Sequence, residues 1–155
     1  ITTDIIVGFP GETEEDYAAT RALADELSFD NAFVFRYSPR KDTPAATMGE
    51  QLSEEVKEDR NQDLLSVINR HAQSKLQALV GQTLEVLCTG PSRHNETRLA
   101  GRTRGNKIAV FAGTDQLTGQ LVDLDISETA GFTLYGANPR VATDGVRRLD
   151  AVVNS

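Results

Sequence analysis

Residues 93–107 hold the densest candidate chemistry in this chain. Arg93, Arg98, Arg102, Arg104 and Lys107 fall within fifteen residues, against a single acidic side chain, Glu96. Cationic donors at this density, joined by the hydroxyl of Thr103 and the amide of Asn106, suit phosphate oxygens. Binding of that kind follows local potential rather than total charge. Alternation along a strand would set Arg102 and Arg104 on one face. Stacking on aromatic rings is the other half of RNA recognition, and Phe111, Phe132 and Tyr135 are the candidate platforms. A solvated charged face and ordinary core aromatics explain the same residue types.

A second constellation is Gly8-Phe9-Pro10-Gly11-Glu12-Thr13. It joins the carboxyl end of an expected parallel strand to a helix N-terminus, where α/β proteins place ligands. Gly8 would admit a ligand close to the backbone. Tyr37-Ser38-Pro39-Arg40 occupies the same end of the next strand, and two adjacent strand ends aimed one way are what a barrel-type site requires. A structural βα turn accounts for the bare pattern equally well. No metal site is expected: Cys88 is alone and reads as a core residue on a strand, and His71 and His94 are far apart in sequence. No spacing unites a Ser/His/Asp group.

The elements that must position these residues fall into three stretches. Within 1–52, Asp4-Ile-Ile-Val-Gly-Phe9 is an apolar run without alternation, which suits a strand covered on both faces. A tight turn follows, then a helix capped by Thr13 with Glu14, Glu15 and Asp16 in its first turn and a face of Tyr17, Thr20, Ala24 and Leu27. Ala32-Phe33-Val34-Phe35 is a second buried strand, so the order is a right-handed βαβ unit. A loop over 38–52 leads to Ser53, the cap of a long helix reaching Gly81. Its stripe is Val56, Leu64, Ile68, Ala72, Leu76 and Val80, interrupted only by Arg60, and its charged face is expected to be solvated. From Gln82 the period becomes two. Strands are expected from Gln82 to Gly90-Pro91 and at 98–104, 107–111, 120–128 and 132–136, with turn chemistry at 105–106, 112–115 and 129–131. Five short strands in about sixty residues suggest a small closed barrel over 81–138, because closure removes unpaired edges. Residues 139–155 lack a steady period and read as a loose tail.

Charge and composition bound the rest. The net charge is -7, of which residues 1–52 contribute -6 while 81–155 are neutral. With 12 Gly, 5 Pro and one Cys, collagen, low-complexity disorder and a disulfide scaffold are excluded. Apolar runs too short to span a bilayer, and no leader-like start, point to a cytoplasmic protein without a membrane partner. The opening Ile1-Thr-Thr-Asp-Ile-Ile-Val reads as the middle of a strand, so the chain is expected to be a piece of a longer protein.

Taken together, Thr3-Asp-Ile-Ile-Val-Gly-Phe-Pro-Gly-Glu-Thr13, Tyr37-Ser-Pro-Arg40 and Thr43-Pro-Ala-Ala46 resemble the end of the radical-SAM barrel of tRNA methylthiotransferases. Val80-Gly81, Glu85-Val-Leu87, Gly90-Pro-Ser92, Gly101-Arg-Thr-Arg104, Asn106-Lys107, Gly119-Gln-Leu-Val122 and Leu134-Tyr-Gly136 are similar to that family's TRAM domain. The motifs keep their order over residues 2–138; Lys41-Asp42 departs from the Pro-Gly common in relatives. The resemblance is strongest to the type that makes 2-methylthio-N(6)-isopentenyladenosine. It implies an α/β partial radical-SAM barrel (βαβ plus long helix) followed by a TRAM/OB-like all-β barrel.

It also implies that the full enzyme adds a methylthio group to N(6)-isopentenyladenosine beside the anticodon, using S-adenosylmethionine and two [4Fe–4S] clusters. Clusters need cysteine thiolates, so this chain should bind no cofactor and be inactive alone, lacking an N-terminal part of the same protein. Gly8, Pro10, Gly11, Glu12, Tyr37 and Ser38 would join an adenosylmethionine or substrate pocket only in the full barrel. Arg93, Arg98, Arg102, Thr103, Arg104, Asn106, Lys107 and Tyr135 would bind the tRNA anticodon stem-loop. A sister methylthiotransferase, acting on threonylcarbamoyladenosine or on a ribosomal-protein aspartate, and a non-catalytic RNA-binding module are the alternatives.

Overall fold

A computed structural model describes residues 1–93 and 95–142. The chain divides into two units, Ile1–Lys75 and Leu76 onward. In the first, β1 (Thr2–Val7), α1 (Glu14–Leu27) and β2 (Asn31–Arg36) form a βαβ unit, and α2 (Glu54–Gln77) packs against it. The strands pair in parallel from Thr2 opposite Asn31 to Val7 opposite Arg36. Thr13 caps α1 in a capping box with Asp16, each side chain accepting from the other residue's backbone N–H. Ser53 Oγ accepts from Val56 N at 3.3 Å and caps α2.

Among the described residues of this unit, the sheet is covered on one face. Val7 and Ala32, with Ile5 and Val34 partly buried beside them, meet Tyr17 and Ala24 of α1 and Leu64 and Ile68 of α2. Parallel partners point to the same side, so Ile6, Phe33 and Phe35 share the opposite face. There Phe33 is 62% and Phe35 53% exposed, and their rings stack with centroids 6.3 Å apart. The strands, whose runs suit cover on both faces, are covered here on one, because both helices of the unit lie on the same side. Leu27 of the expected α1 face is also exposed.

The stripe of α2 keeps its helical period but changes chemistry along its length. Lys57, Arg60 and Asn61 are buried in the first two turns, followed by Leu64, Val67, Ile68, Ala72 and Leu76. The polar turns face backbone that needs partners; Asn61 Nδ2, for instance, donates to Val34 O at 2.9 Å. The expected solvated charged face thus holds only for the opposite side of the helix. The helix also ends at Gln77, short of the Gly81 stop expected from sequence. Leu79 N and Val80 N bond to carbonyls three residues back, and Gly81 N reaches Ile126 O at 2.9 Å. This tighter turn carries Leu76, Leu79 and Val80 into the core of the second unit.

The second unit is a closed barrel, in spatial order β3 (Thr83–Ser92), β4 (Asn95–Thr103), β5 (Ile108–Phe111), β7 (Thr133–Val141) and β6 (Leu121–Ala130). Four pairings are antiparallel; β5 and β7 close the ring in parallel. Val86, Cys88, Leu99, Ala109, Phe111, Val122, Leu124, Ile126 and Leu134 fill the interior. Gly101 and Gly136 are required there, since a Cβ at either would lie 2.5 Å or less from a neighbouring atom. β4 begins three residues earlier than expected, and β6 runs through Ala130, shortening the next turn. The loose tail is corrected for residues 139–141, which extend β7: Arg140 pairs across to Asp123, and its guanidinium holds Asp125 at 2.7 and 3.0 Å. Ala142 follows, its N–H donating to Leu121 O at 2.9 Å; residues 143–155 of that tail and His94 lie outside the described residues.

Candidate nucleic-acid interface

On the barrel, alternation separates core from surface along each strand. With Leu99 and Gly101 inward on β4, Arg98, Ala100 and Arg102 point out. With Ala109 and Phe111 inward on β5, Ile108 and Val110 point out, and Thr133 and Tyr135 do the same on β7. These outward residues form the floor and one wall of a cavity of about 730 Å³. Arg93 and Asn95, from the β3–β4 hairpin, and Thr89, Pro91 and Ser92 of β3 complete it. Although it faces outward, Val110 is only 9% exposed, so the surface is concave at that point. The Arg98 guanidinium lies 5.9 Å from the centroid of the Tyr135 ring, within cation–π range. Arg102 Nη1 donates to Asn106 O at 3.1 Å. Among the described residues lining the cavity there are three arginines and no carboxylate.

Of the eight residues that sequence reasoning assigned to RNA, four therefore line one groove: Arg93, Arg98, Arg102 and Tyr135. Thr103, Asn106 and Lys107 build the β4–β5 turn. Asn106, at a left-handed φ of 59°, sends its N–H to Thr103 O, while Lys107 N donates to Thr103 Oγ1. Arg104 does not share a face with Arg102 in the groove; its Nε pairs with Glu85 Oε1 at 2.7 Å. The expected alternation fails there because β4 ends at Thr103 and Arg104 begins the turn. Phe111 is wholly buried, which removes it as a stacking platform, and Phe132 is exposed in the β6–β7 turn. The floor residues Ala100, Ile108 and Val110 were missed because they carry no polar group. A signal was present in retrospect: both Ile108 and Val110 sit at outward positions of an alternating strand.

In the first unit, three amides of the turn at 8–13 are bonded within the protein. Gly8 N donates to Glu12 Oε2 at 2.8 Å, Gly11 N to Glu50 O at 3.1 Å and Glu12 N to Phe9 O at 2.9 Å. Gly8, with φ of 74°, is pressed by Lys57, whose Cγ would stand 2.4 Å from a Cβ at that position. Glu12 and the exposed Glu14 both pair with Arg60, which is 5% exposed and lies over the Tyr17 ring at 5.2 Å. Tyr37 is buried against Phe9 and Lys57; its hydroxyl has no hydrogen-bond partner among the described residues. Pro10 is buried within the turn, and Ser38 is exposed just past β2. The amides of Gly8, Gly11 and Glu12 are thus engaged within the protein, and Lys57 lies against Gly8. The residues present do not fit an iron–sulfur cluster, since Cys88 is 1% exposed inside the barrel.

One constellation was invisible in sequence. At the end of α1, Ser28 Oγ lies 3.2 Å from His71 Nδ1, and His71 Nε2 lies 2.5 Å from Asp25 Oδ1. Ser28 Oγ also donates to Asp25 O at 3.0 Å. That bond, together with the left-handed φ of 49° at Ser28, describes a helix C-cap joined to α2 rather than an activated nucleophile. The hydrogen bond from His71, aided by Arg70, holds the Asp25 carboxyl below its usual range.

Comparison with known proteins agrees with the barrel geometry. Residues 77–137 match the TRAM domain family. This part of the chain is a TRAM domain. Beyond it, 136 residues, 88% of the chain, are 57% identical to a protein of Akkermansia muciniphila named tRNA-2-methylthio-N(6)-dimethylallyladenosine synthase. A protein of the same name from Methylacidiphilum infernorum is 48% identical over 88% of the chain. One from Opitutus terrae is 46% identical over 87%. The match covers 30%, 29% and 28% of these relatives, so the chain spans under a third of their length. Among the described residues, no helix is long and apolar enough to cross a membrane.

Proposed function

We propose that this chain is the C-terminal part of a tRNA-modifying methylthiotransferase, and that its TRAM barrel holds the tRNA while the modification is made. The reading rests on one observation above all: on a TRAM domain, three arginines and an aromatic ring line a groove with no carboxylate among its described lining residues. Arginine donors fix the register of the RNA backbone, and the ring contributes stacking. The relatives are named for 2-methylthio-N(6)-dimethylallyladenosine in tRNA; on this reading the substrate is N(6)-isopentenyladenosine beside the anticodon, and the stem-loop carrying it is the element held.

In the whole protein, radical chemistry from adenosylmethionine and two [4Fe–4S] clusters would supply the methylthio group. The thiolates for those clusters belong to an N-terminal part of the same protein, and the location is the cytoplasm. The share of this chain is positional. Its barrel grips RNA, while Gly8, Pro10, Gly11 and Glu12 of the βα turn, braced by Arg60 and Lys57, and Tyr37 and Ser38 after β2 stand at the carboxyl ends of the two strands, where they would join the site of the full barrel.

The test is tRNA binding by the chain across a salt series, with Arg102→Ala alongside. Salt-sensitive binding whose log–log slope falls by about one in the variant is the expected result. An unchanged slope removes Arg102 from the phosphate contacts, and no binding at low salt refutes the reading.

A further inference from the structure

We infer that the groove across β3, β4, β5 and β7 seats an unpaired RNA nucleotide, its base against Tyr135 and its phosphate beside Arg102. The inference rests on the proposed RNA-binding role of the barrel and specifies what the groove recognises. Phosphate contact alone has no use for the floor. Ala100, Ile108 and Val110 present carbon to the ligand, with Val110 almost closed off from solvent. An apolar floor beside an aromatic wall is what the face of a base requires. The rim supplies the rest, since Arg93, Arg98 and Arg102 are cationic and no acidic side chain among the described residues lines the cavity.

Arg98 and Tyr135 strengthen the case because both are stacking surfaces. Base planes stack on aromatic rings and on guanidinium planes alike, and here the two stand 5.9 Å apart. At about 730 Å³ the cavity falls within the span of small-ligand sites, about 300–1,000 Å³. In a duplex the bases are stacked on each other and paired, so no base face is available to Tyr135. The groove therefore selects single-stranded or splayed-out nucleotides over helices.

The test uses the 155-residue chain and a short single-stranded RNA containing 2-aminopurine, a fluorescent adenine analogue quenched by stacking. The same RNA annealed to its complement is the comparison. The expected result is preferential binding of the single strand with quenched fluorescence. Tyr135→Ala lowers affinity about 5- to 150-fold and relieves the quenching, whereas Tyr135→Phe keeps both. Arg102→Ala lowers the salt slope by about 0.7 and leaves the quenching intact. Ile108→Asp, at an exposed position, weakens single-strand binding without removing the ring.

Salt-dependent binding with unquenched 2-aminopurine, or equal affinity for the duplex, overturns the base pocket and leaves the RNA-binding reading standing. Absence of binding to either RNA overturns both.

Discussion

Replacing Arg60 with methionine should release the βα turn at 8–13 from the helix that braces it. The side chain is nearly buried and makes four separate contacts. Nη1 donates to Glu12 O at 3.1 Å and pairs with Glu12 Oε2, Nη2 pairs with Glu14, and the guanidinium lies over Tyr17. These contacts are unequal. Glu14 is 82% exposed, so its pair is worth about 0–1 kcal/mol. Glu12 is 12% exposed, and stranding it costs far more, about 3–5 kcal/mol, because a carboxylate removed from water loses its counter-charge. Methionine preserves the apolar stem, so Arg60→Met isolates the charge. The expected loss is about 3–5 kcal/mol by urea unfolding. Hydrogen exchange should rise selectively in the peptide covering residues 8–17. A double-mutant cycle with Glu12→Gln should return a coupling on the order of 1–3 kcal/mol. A loss below about 1 kcal/mol, with exchange unchanged over 8–17, refutes the view that this ion pair holds the turn.

Three further outcomes follow from other sites. Asp63 accepts from Arg21 and from the Tyr17 hydroxyl, and these bonds hold its carboxyl below the usual range. A depressed carboxyl adds stability above its unfolded pKa of about 3.9 that is lost as pH falls through the folded value. Melting of the first unit should therefore become acid-sensitive below about pH 4, and Asp63→Asn should flatten that part of the curve; an identical acid limb in the variant contradicts the assignment. Gly136→Ala would place a Cβ 2.4 Å from Leu124 Cγ and 2.9 Å from Asp125 O. Overpacking of this kind costs about 1–3 kcal/mol, visible as a lowered barrel melting temperature, and an unshifted melt would show that β7 can move aside. Glu85→Gln frees Arg104 from its ion pair. RNA affinity should rise and the salt slope steepen by up to about one; no change would leave Arg104 out of reach of phosphate.

Much of this architecture was legible because period and punctuation agree with it. The alternation after Gln82 and the turn residues between runs were enough to expect a closed barrel. Thr13 and Ser53 announced both helix starts, since few residues can accept from an N-terminal amide. What escaped was set by partners distant in sequence. The run Ile5-Ile6-Val7 looks alike on both faces, so nothing local says that Ile6 stays exposed while Val7 is buried. Arg60 stood out only as an interruption of the apolar stripe, and Lys57 and Asn61 drew no notice, because the groups that satisfy or pack them, at Glu12, Gly8 and Val34, are 27 to 49 positions away. Arg104 was misplaced for a smaller reason, a strand that ends one residue sooner than expected.

The two units place their arginines differently, and this bears on how an acidic chain could take the proposed RNA ligand, although Arg104 and Arg140 of the barrel are ion-paired as well. In the first unit Arg21, Arg36, Lys57, Arg60 and Arg70 are each paired with a carboxylate. Their charge is consumed in tying helices to turns. In the barrel, three arginines line a concavity that no acidic side chain among the described residues lines. Salt screens exposed charges beyond about 8 Å at physiological ionic strength, so a phosphate in that groove responds to the arginines around it and not to the net charge of -7. The acidic total then works in favour of selectivity. It discourages polyanions from settling elsewhere on the chain, and leaves the groove as the place where a backbone phosphate and an unstacked base can both be satisfied.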